Sequence, residues 1–155
     1  VIEKNNKKIC TINLIGRTNI NDVMSNNPFE VADQIVSEVK ADIYMVDFHA
    51  EATAEKLAMG YFLDGRITGL FGTHTHIPTA DNRVLPNGTG YITDLGMTGP
   101  SNSILGMDIK TALIRFVKSL PEKYKVAEGP VELNGAIFDI DDKTNKVKSV
   151  YRVHL

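Results

Sequence analysis

From Ile9 to Ile15 the side chains alternate and β-branched residues recur, the pattern of a strand. Gly16 to Asn27 is rich in Asn and Gly and predicts a loop. Pro28 suits the first turn of a helix with Asn27 as its cap. Phe29, Ala32, Ile35, Val36 and Val39 then recur at spacings of three and four, predicting an amphipathic helix to about Lys40. Asp42 to Phe48 is mostly apolar and predicts a central strand. Glu51 to Phe62 predicts a second helix, with Ala54, Leu57, Ala58, Tyr61 and Phe62 on or near one face, ended by Asp64-Gly65. Ile67 to Phe71 predicts a third strand, stopped by Gly72. Thr73-His74-Thr75-His76 follows, then a loop to Gly88 rich in Pro, Asp, Asn and Gly.

The second half continues the alternation. Tyr91 to Leu95 predicts a short strand, Gly96 to Gly106 a glycine-rich loop, and Asp108 to Leu120 a helix with Leu113, Ile114, Phe116, Val117 and Leu120 as core candidates. Val131 to Ile140 and Val147 to Val153 alternate on either side of the turn Asp141 to Asn145. They predict a β-hairpin with Thr144-Asn145 near its tip. Helices alternating with strands, followed by a hairpin, point to an α/β layered architecture with a mixed sheet.

At 155 residues the chain fits a single domain able to bury a sizeable core, and 43% hydrophobic with 23% charged residues is an ordinary globular balance. The net charge of −2 offers no global positive field for nucleic acid or anionic lipid. Cys10 is the one cysteine, so no intramolecular disulfide can form. Its apolar setting, Ile9-Cys10-Thr11-Ile12, reads as a buried strand position, and a lone thiol fits a reducing cytoplasm. No apolar stretch reaches the roughly 20 residues that span a bilayer, and Val1 to Lys8 is charged and polar, unlike a signal peptide.

Three of the four histidines fall at predicted strand ends. His49 follows the apolar strand ending in Asp47-Phe48, and His74 and His76 follow the third strand. Loops beyond the carboxyl ends of α/β strands are where ligands bind. In extended backbone, residues two apart face the same side, about 7 Å from one another. A His-x-His pair so placed could grip one ion, or serve one ion each in a two-metal site with the ions about 3.5–4 Å apart. Neutral imidazole suits zinc, iron and related metals. Asp47 lies on the same side of its strand as His49. It reads either as a ligand or as the partner that fixes a ligating histidine's tautomer. Glu51 reads as the first-turn acid of its helix, and Asp81 and Asp94 as turn caps. His154 reads as structural or solvated. The glycines of Asp94-Leu95-Gly96-Met97-Thr98-Gly99-Pro100 read as a turn that packs the loop, with approach to a substrate as the alternative. No P-loop, Rossmann fingerprint or nucleophile elbow occurs. The residues alone yield half a metal site.

Four segments carry a resemblance: Asp47-Phe48-His49-Ala50-Glu51-Ala52-Thr53, Gly72-Thr73-His74-Thr75-His76, Thr79-Ala80-Asp81-Asn82-Arg83 and Thr93-Asp94-Leu95-Gly96-Met97-Thr98-Gly99-Pro100. In this order they resemble the YmdB-like family, a bacterial branch of the calcineurin-like metallophosphoesterases. The resemblance runs from about Ile9 to the C-terminus. It implies a sandwich of mixed β-sheets flanked by helices, with residues 1–155 as the C-terminal part of one metallophosphoesterase domain. It also implies a dinuclear iron or manganese site that hydrolyses phosphodiesters such as 2′,3′-cyclic AMP. His49, His74 and His76 would be metal ligands, His76 on one ion and His49 with His74 on the other.

The family's N-terminal aspartate, bridging acid, asparagine and asparagine-histidine motifs, the last bearing the proton donor, do not occur in this sequence. Together with the missing initiator Met, this leads to the expectation of a fragment, a cleavage product or one of two complementary chains, inactive alone. Its expected partners are the missing N-terminal half, a cyclic-nucleotide or other phosphodiester substrate or RNA ends, and a further copy in a homo-oligomer. The alternative is a non-catalytic regulatory or assembly module that keeps the fold.

Overall fold

A computed structural model describes residues 1–20 and 26–155 of the chain. The loop expected from Gly16 to Asn27 falls partly on 21–25, outside the described residues. In chain order the elements are β1 (Ile2–Lys4), β2 (Lys7–Ile15), α1 (Pro28–Glu38), β3 (Ile43–His49), α2 (Thr53–Phe62), β4 (Gly69–Thr73), β5 (Arg83–Val84), β6 (Gly90–Ile92), β7 (Gly99–Pro100), α3 (Ile109–Lys118), β8 (Val131–Glu132), β9 (Asn134–Ile140) and β10 (Val147–His154).

The main sheet has the order β1-β2-β3-β4-β6-β5. Strands β2, β3, β4 and β6 are parallel, and the two edge strands are antiparallel to their neighbours. The apolar strand β3 is central, as its composition predicts. Ile15 pairs with His49, and His49 with Thr73, so three strands end together at one edge.

Alternation along the strands sends side chains to two faces. Cys10, Ile12 and Leu14 of β2 join Val46 and Phe48 of β3, Ala32 of α1, and Met59 and Leu63 by α2 in one buried core. Asn27 caps α1 as expected, its side chain accepting from the Phe29 N–H at 3.1 Å. The opposite face is partly covered by the hairpin β9–β10. Phe138 of β9 lies where Gly69 and Gly90 have no side chains: an added Cβ would meet its ring at 2.9 and 2.7 Å respectively. Beside it a cavity of about 290 Å³ is lined by Thr11, Asn13, Met45, Asp47 and Phe71.

Two helices depart from the sequence pattern. On α2 the buried positions are Lys56, Met59 and Gly60, with Leu63 just beyond. Ala54, Ala58, Tyr61 and Phe62 are exposed and Leu57 is half-buried. The face is rotated because Lys56 is inside, paired with a carboxylate, where an amphipathic reading places lysine in solvent. Gly60 belongs to the buried face because the Tyr91 ring lies against it, 2.8 Å from where a Cβ would stand.

On α3 the expected core is not a core. Phe116 is 76% and Val117 73% exposed, Leu113 and Leu120 are exposed, and Ile114 is half-buried. Only Thr111 and Ala112 are buried, and Asp108 caps the helix through the Thr111 N–H at 2.9 Å. The apolar period is present, but the described residues place nothing over it. The strand read as Tyr91 to Leu95 ends at Ile92, because Thr93 onward turns to bond the loop after β4. No helix among the described residues is long and apolar enough to cross a membrane.

Candidate metal centre

The carboxyl ends of β3 and β4 carry the candidate residues. Asp47 and His49 alternate onto the same face of β3. Asp47 accepts from the Asn13 side-chain amide at 2.7 Å and from the Thr73 hydroxyl at 2.8 Å. That hydroxyl has spent its one hydrogen, so its oxygen accepts from His49 Nδ1–H at 3.0 Å. Asp47 therefore acts on His49 through Thr73. The relay holds the proton on Nδ1 and leaves Nε2 with a free lone pair.

His74 and His76 do not sit on an extended strand. Strand β4 ends at Thr73, and the two histidines have φ of +116° and +66°. The expectation that they face one side of a strand is therefore corrected: both occupy backbone conformations rare for side chains of this size. Such conformations persist only where the surroundings impose them, and they gather at functional sites. The turn brings His74 Nδ1 to 3.0 Å from His49 Nε2, with the two rings edge to face at 83°. His74 Nε2 lies 3.0 Å from a Glu51 carboxylate oxygen and donates to it. Glu51 precedes α2 and grips a histidine rather than filling the first turn, where Glu55 stands.

His76 is placed apart from that pair. Its Nδ1 donates to the Leu105 carbonyl at 3.2 Å, which leaves its Nε2 bare. All three histidines thus share one feature: one ring N–H is held by a protein oxygen and the other nitrogen is presented. That is how ligating histidines are oriented. His49 Nε2 and His74 Nδ1 bring two lone pairs face to face, so a proton or a metal cation must stand between them. Two nitrogens each about 2.1 Å from one ion and at right angles are about 3.0 Å apart, so the observed separation fits two neighbouring ligands of one ion. No group of three or more His, Cys, Asp or Glu side chains gathers as a metal site among the described residues. His154, at the end of β10, bonds Asn134 outside the cluster.

The loop is anchored from below. Asp94, read from sequence as a turn cap, is fully buried and pairs with the equally buried Lys56 at 2.7 Å. Burial alone pushes its carboxyl up, but hydrogen bonds from Lys56, the Gly96 N–H and Thr75 outweigh this and hold it below the usual value. Asp81 has the same balance: burial opposes, and bonds from Thr93 and Thr79 prevail, so its carboxyl also titrates low. Gly72 lets the strands close up, since a Cβ there would stand 1.8 Å from the Thr93 carbonyl oxygen and 2.8 Å from Lys56 Cδ. Gly96, at φ +82°, packs its backbone on Pro78.

Sequence reasoning missed Thr73, Leu105 and Lys56. Thr73 stands beside His74 in the motif, so its hydroxyl was a visible signal. The Leu105 carbonyl and a buried lysine leave no such trace.

Comparison with known proteins adds a family. The model of the YmdB-like protein family matches residues 1–153. The chain is 48% identical over 154 residues to a 2′,3′-cyclic-nucleotide 2′-phosphodiesterase of Bacillus subtilis, covering 98% of this chain and 58% of that protein. It is 40% identical over 148 residues to a putative phosphatase/phosphodiesterase of Mycoplasma pneumoniae, covering 95% and 53%. Among solved structures it is similar to a hypothetical protein from Thermus thermophilus, with a TM-score of 0.91 and 34% identity over 99% of this chain and 60% of that one. It is also similar to a novel phosphatase of Mycoplasma pneumoniae, with a TM-score of 0.93 and 37% identity over 99% and 55%. The chain spans little more than half the length of the curated relatives it matches.

Proposed function

Since the chain belongs to the YmdB-like family, we propose that it supplies the histidine side of a dinuclear metal site in a metal-dependent phosphodiesterase. The observation that carries this reading is the common state of His49, His74 and His76, each with one N–H held by protein and the opposite nitrogen presented. His49 Nε2 and His74 Nδ1 would hold one ion and His76 Nε2 the other, with iron or manganese as the metals. Bound there, such ions polarise a phosphoryl oxygen and lower the pKa of a bound water.

The chain's own residues supply orientation. Asp47 through Thr73 sets the His49 tautomer, Glu51 sets His74, and the Leu105 carbonyl sets His76. None of the three histidines is left to donate a proton to the leaving group, so that task falls to another residue. The substrate class is phosphodiesters of the 2′,3′-cyclic AMP type, in keeping with the name of the Bacillus subtilis relative, a 2′,3′-cyclic-nucleotide 2′-phosphodiesterase; RNA ends are the further candidate. The working protein is cytoplasmic and includes the part of the sandwich domain that the relatives carry and this sequence does not, with a homo-oligomer as its assembly. A second reading, a non-catalytic module, is favoured for the chain alone by the lack of a three-residue ligand cluster among the described residues.

Hydrolysis of 2′,3′-cyclic AMP with manganese or iron, by the chain alone and joined to the remaining part of the family domain, tests the choice. Turnover by the joined protein only is expected, with metal content and activity lost in His76→Ala. Turnover by neither puts the non-catalytic module first, and full metal content in His76→Ala removes that histidine from the site.

A further inference from the structure

We propose that the buried Lys56–Asp94 ion pair is a positioning device for the histidine loop, in which Asp94 clamps the backbone between His74 and His76 and Lys56 holds that carboxylate in place inside the fold. The effect on metal rests on the reading of the histidines as ligands; the effect on loop geometry does not.

The carboxylate serves three donors. One oxygen accepts from Lys56 Nζ at 2.7 Å and from the Thr75 N–H at 3.0 Å, and the other accepts from the Gly96 N–H at 2.9 Å. An amide could accept at only one of its two ends, so asparagine cannot replace it. Thr75 is the residue between His74 and His76, both in strained left-handed backbone. A backbone held this way needs an outside restraint, and the Asp94 bond to Thr75 is one. The second is the Met97 N–H donated to the His76 carbonyl at 3.0 Å, from the segment that Asp94 itself organises. Thr79 completes the clamp, its N–H donated to the Asp94 carbonyl at 3.1 Å and its hydroxyl accepting from the Asp94 N–H at 3.0 Å.

Stability alone is a poor account of the pair. Two well-packed apolar groups hold a core at least as well as a buried ion pair, but they cannot accept from Thr75. The pair's distinguishing property is therefore its reach to the loop backbone. Lys56 gets there because Gly72 has no side chain where the lysine stem passes.

The test removes both charges and keeps bulk, with Lys56→Met and Asp94→Leu in one variant. It is compared with the unaltered protein by amide hydrogen exchange, by the nuclear Overhauser contact between the His49 and His74 rings, and by manganese titration. The expected variant unfolds cooperatively and keeps its β3 and β4 amides protected. Its Thr75 amide exchanges like an exposed loop, the ring contact is lost, and manganese affinity falls on the order of 10–100-fold. A folded variant with Thr75 protection and the ring contact intact overturns the proposal. If the variant does not fold, the unaltered protein decides: a Thr75 amide protected like those of β4 supports the clamp, and one exchanging freely overturns it. If the unaltered protein binds no manganese, the ligand reading fails, while amide exchange and the ring contact still decide the positioning role.

Discussion

Helices α2 and α3 have ten residues each, and they treat charge and oil in opposite ways. Helix α2 buries a lysine completely and leaves Tyr61 and Phe62 in solvent. Helix α3 has the clearer apolar stripe and leaves Phe116 and Val117 largely exposed. A hydrophobic period marks the face a helix can bury; it does not say whether a partner is present. Burial is decided by what lies opposite. Across from α2 lie a sheet, a buried carboxylate and the glycine, Gly72, that lets a lysine stem through. Across from α3, among the described residues, nothing closes over the stripe.

The contrast is sharpest at Lys56. Lys56→Met alone strands the Asp94 carboxylate in the interior and is expected to cost about 3–5 kcal/mol in urea unfolding. A loss below about 1 kcal/mol, the range of an exposed pair, would show that the carboxylate reaches water and that α2 is no more committed than α3.

The next effect lies at Tyr91, which packs on Gly60 of α2. Burial, the larger cause, pushes its hydroxyl up to about 12, against an ordinary 10. The folded state then holds its proton more tightly than the unfolded chain. The stabilisation is fully present below pH 10 and is lost as pH rises through 12, a change of up to about 2.7 kcal/mol. Unfolding measured across that window should steepen for the native chain and flatten for Tyr91→Phe. Equal slopes would mean that the ring is not buried against the helix.

The smallest effect is expected on α3. Phe116→Ser should alter the stability of the chain by less than about 0.5 kcal/mol, as surface substitutions do. A loss several times larger in thermal unfolding would reveal that the stripe is covered, and the two helices would no longer differ in kind.

Much of the scaffold was legible. Asn27-Pro28 announced a capped helix, the apolar run before His49 announced a central strand, and the alternation around Thr144-Asn145 announced the hairpin. These features depend on neighbours in sequence or on a simple period. The candidate site was legible as residue types that the fold brings to neighbouring strand ends, His49, His74 and Asp47, but not as a shape. Left-handed φ at His74 and His76 accompanies hydrogen bonds to Asp94 and Met97, distant in sequence, and imidazole gives no local hint of it. An amphipathic pattern sends Lys56 to solvent because lysine usually is there. Its carboxylate partner lies 38 positions away.

The absent side chain at Gly72 has a mechanical consequence. With the Thr93 carbonyl lying where a Cβ would otherwise stand, and the Leu95 N–H bonded to the Gly72 carbonyl at 3.0 Å, the two segments that frame the histidines are stitched into one girder. The turn that carries His74 and His76 is thereby tied at its root to the segment that follows β6.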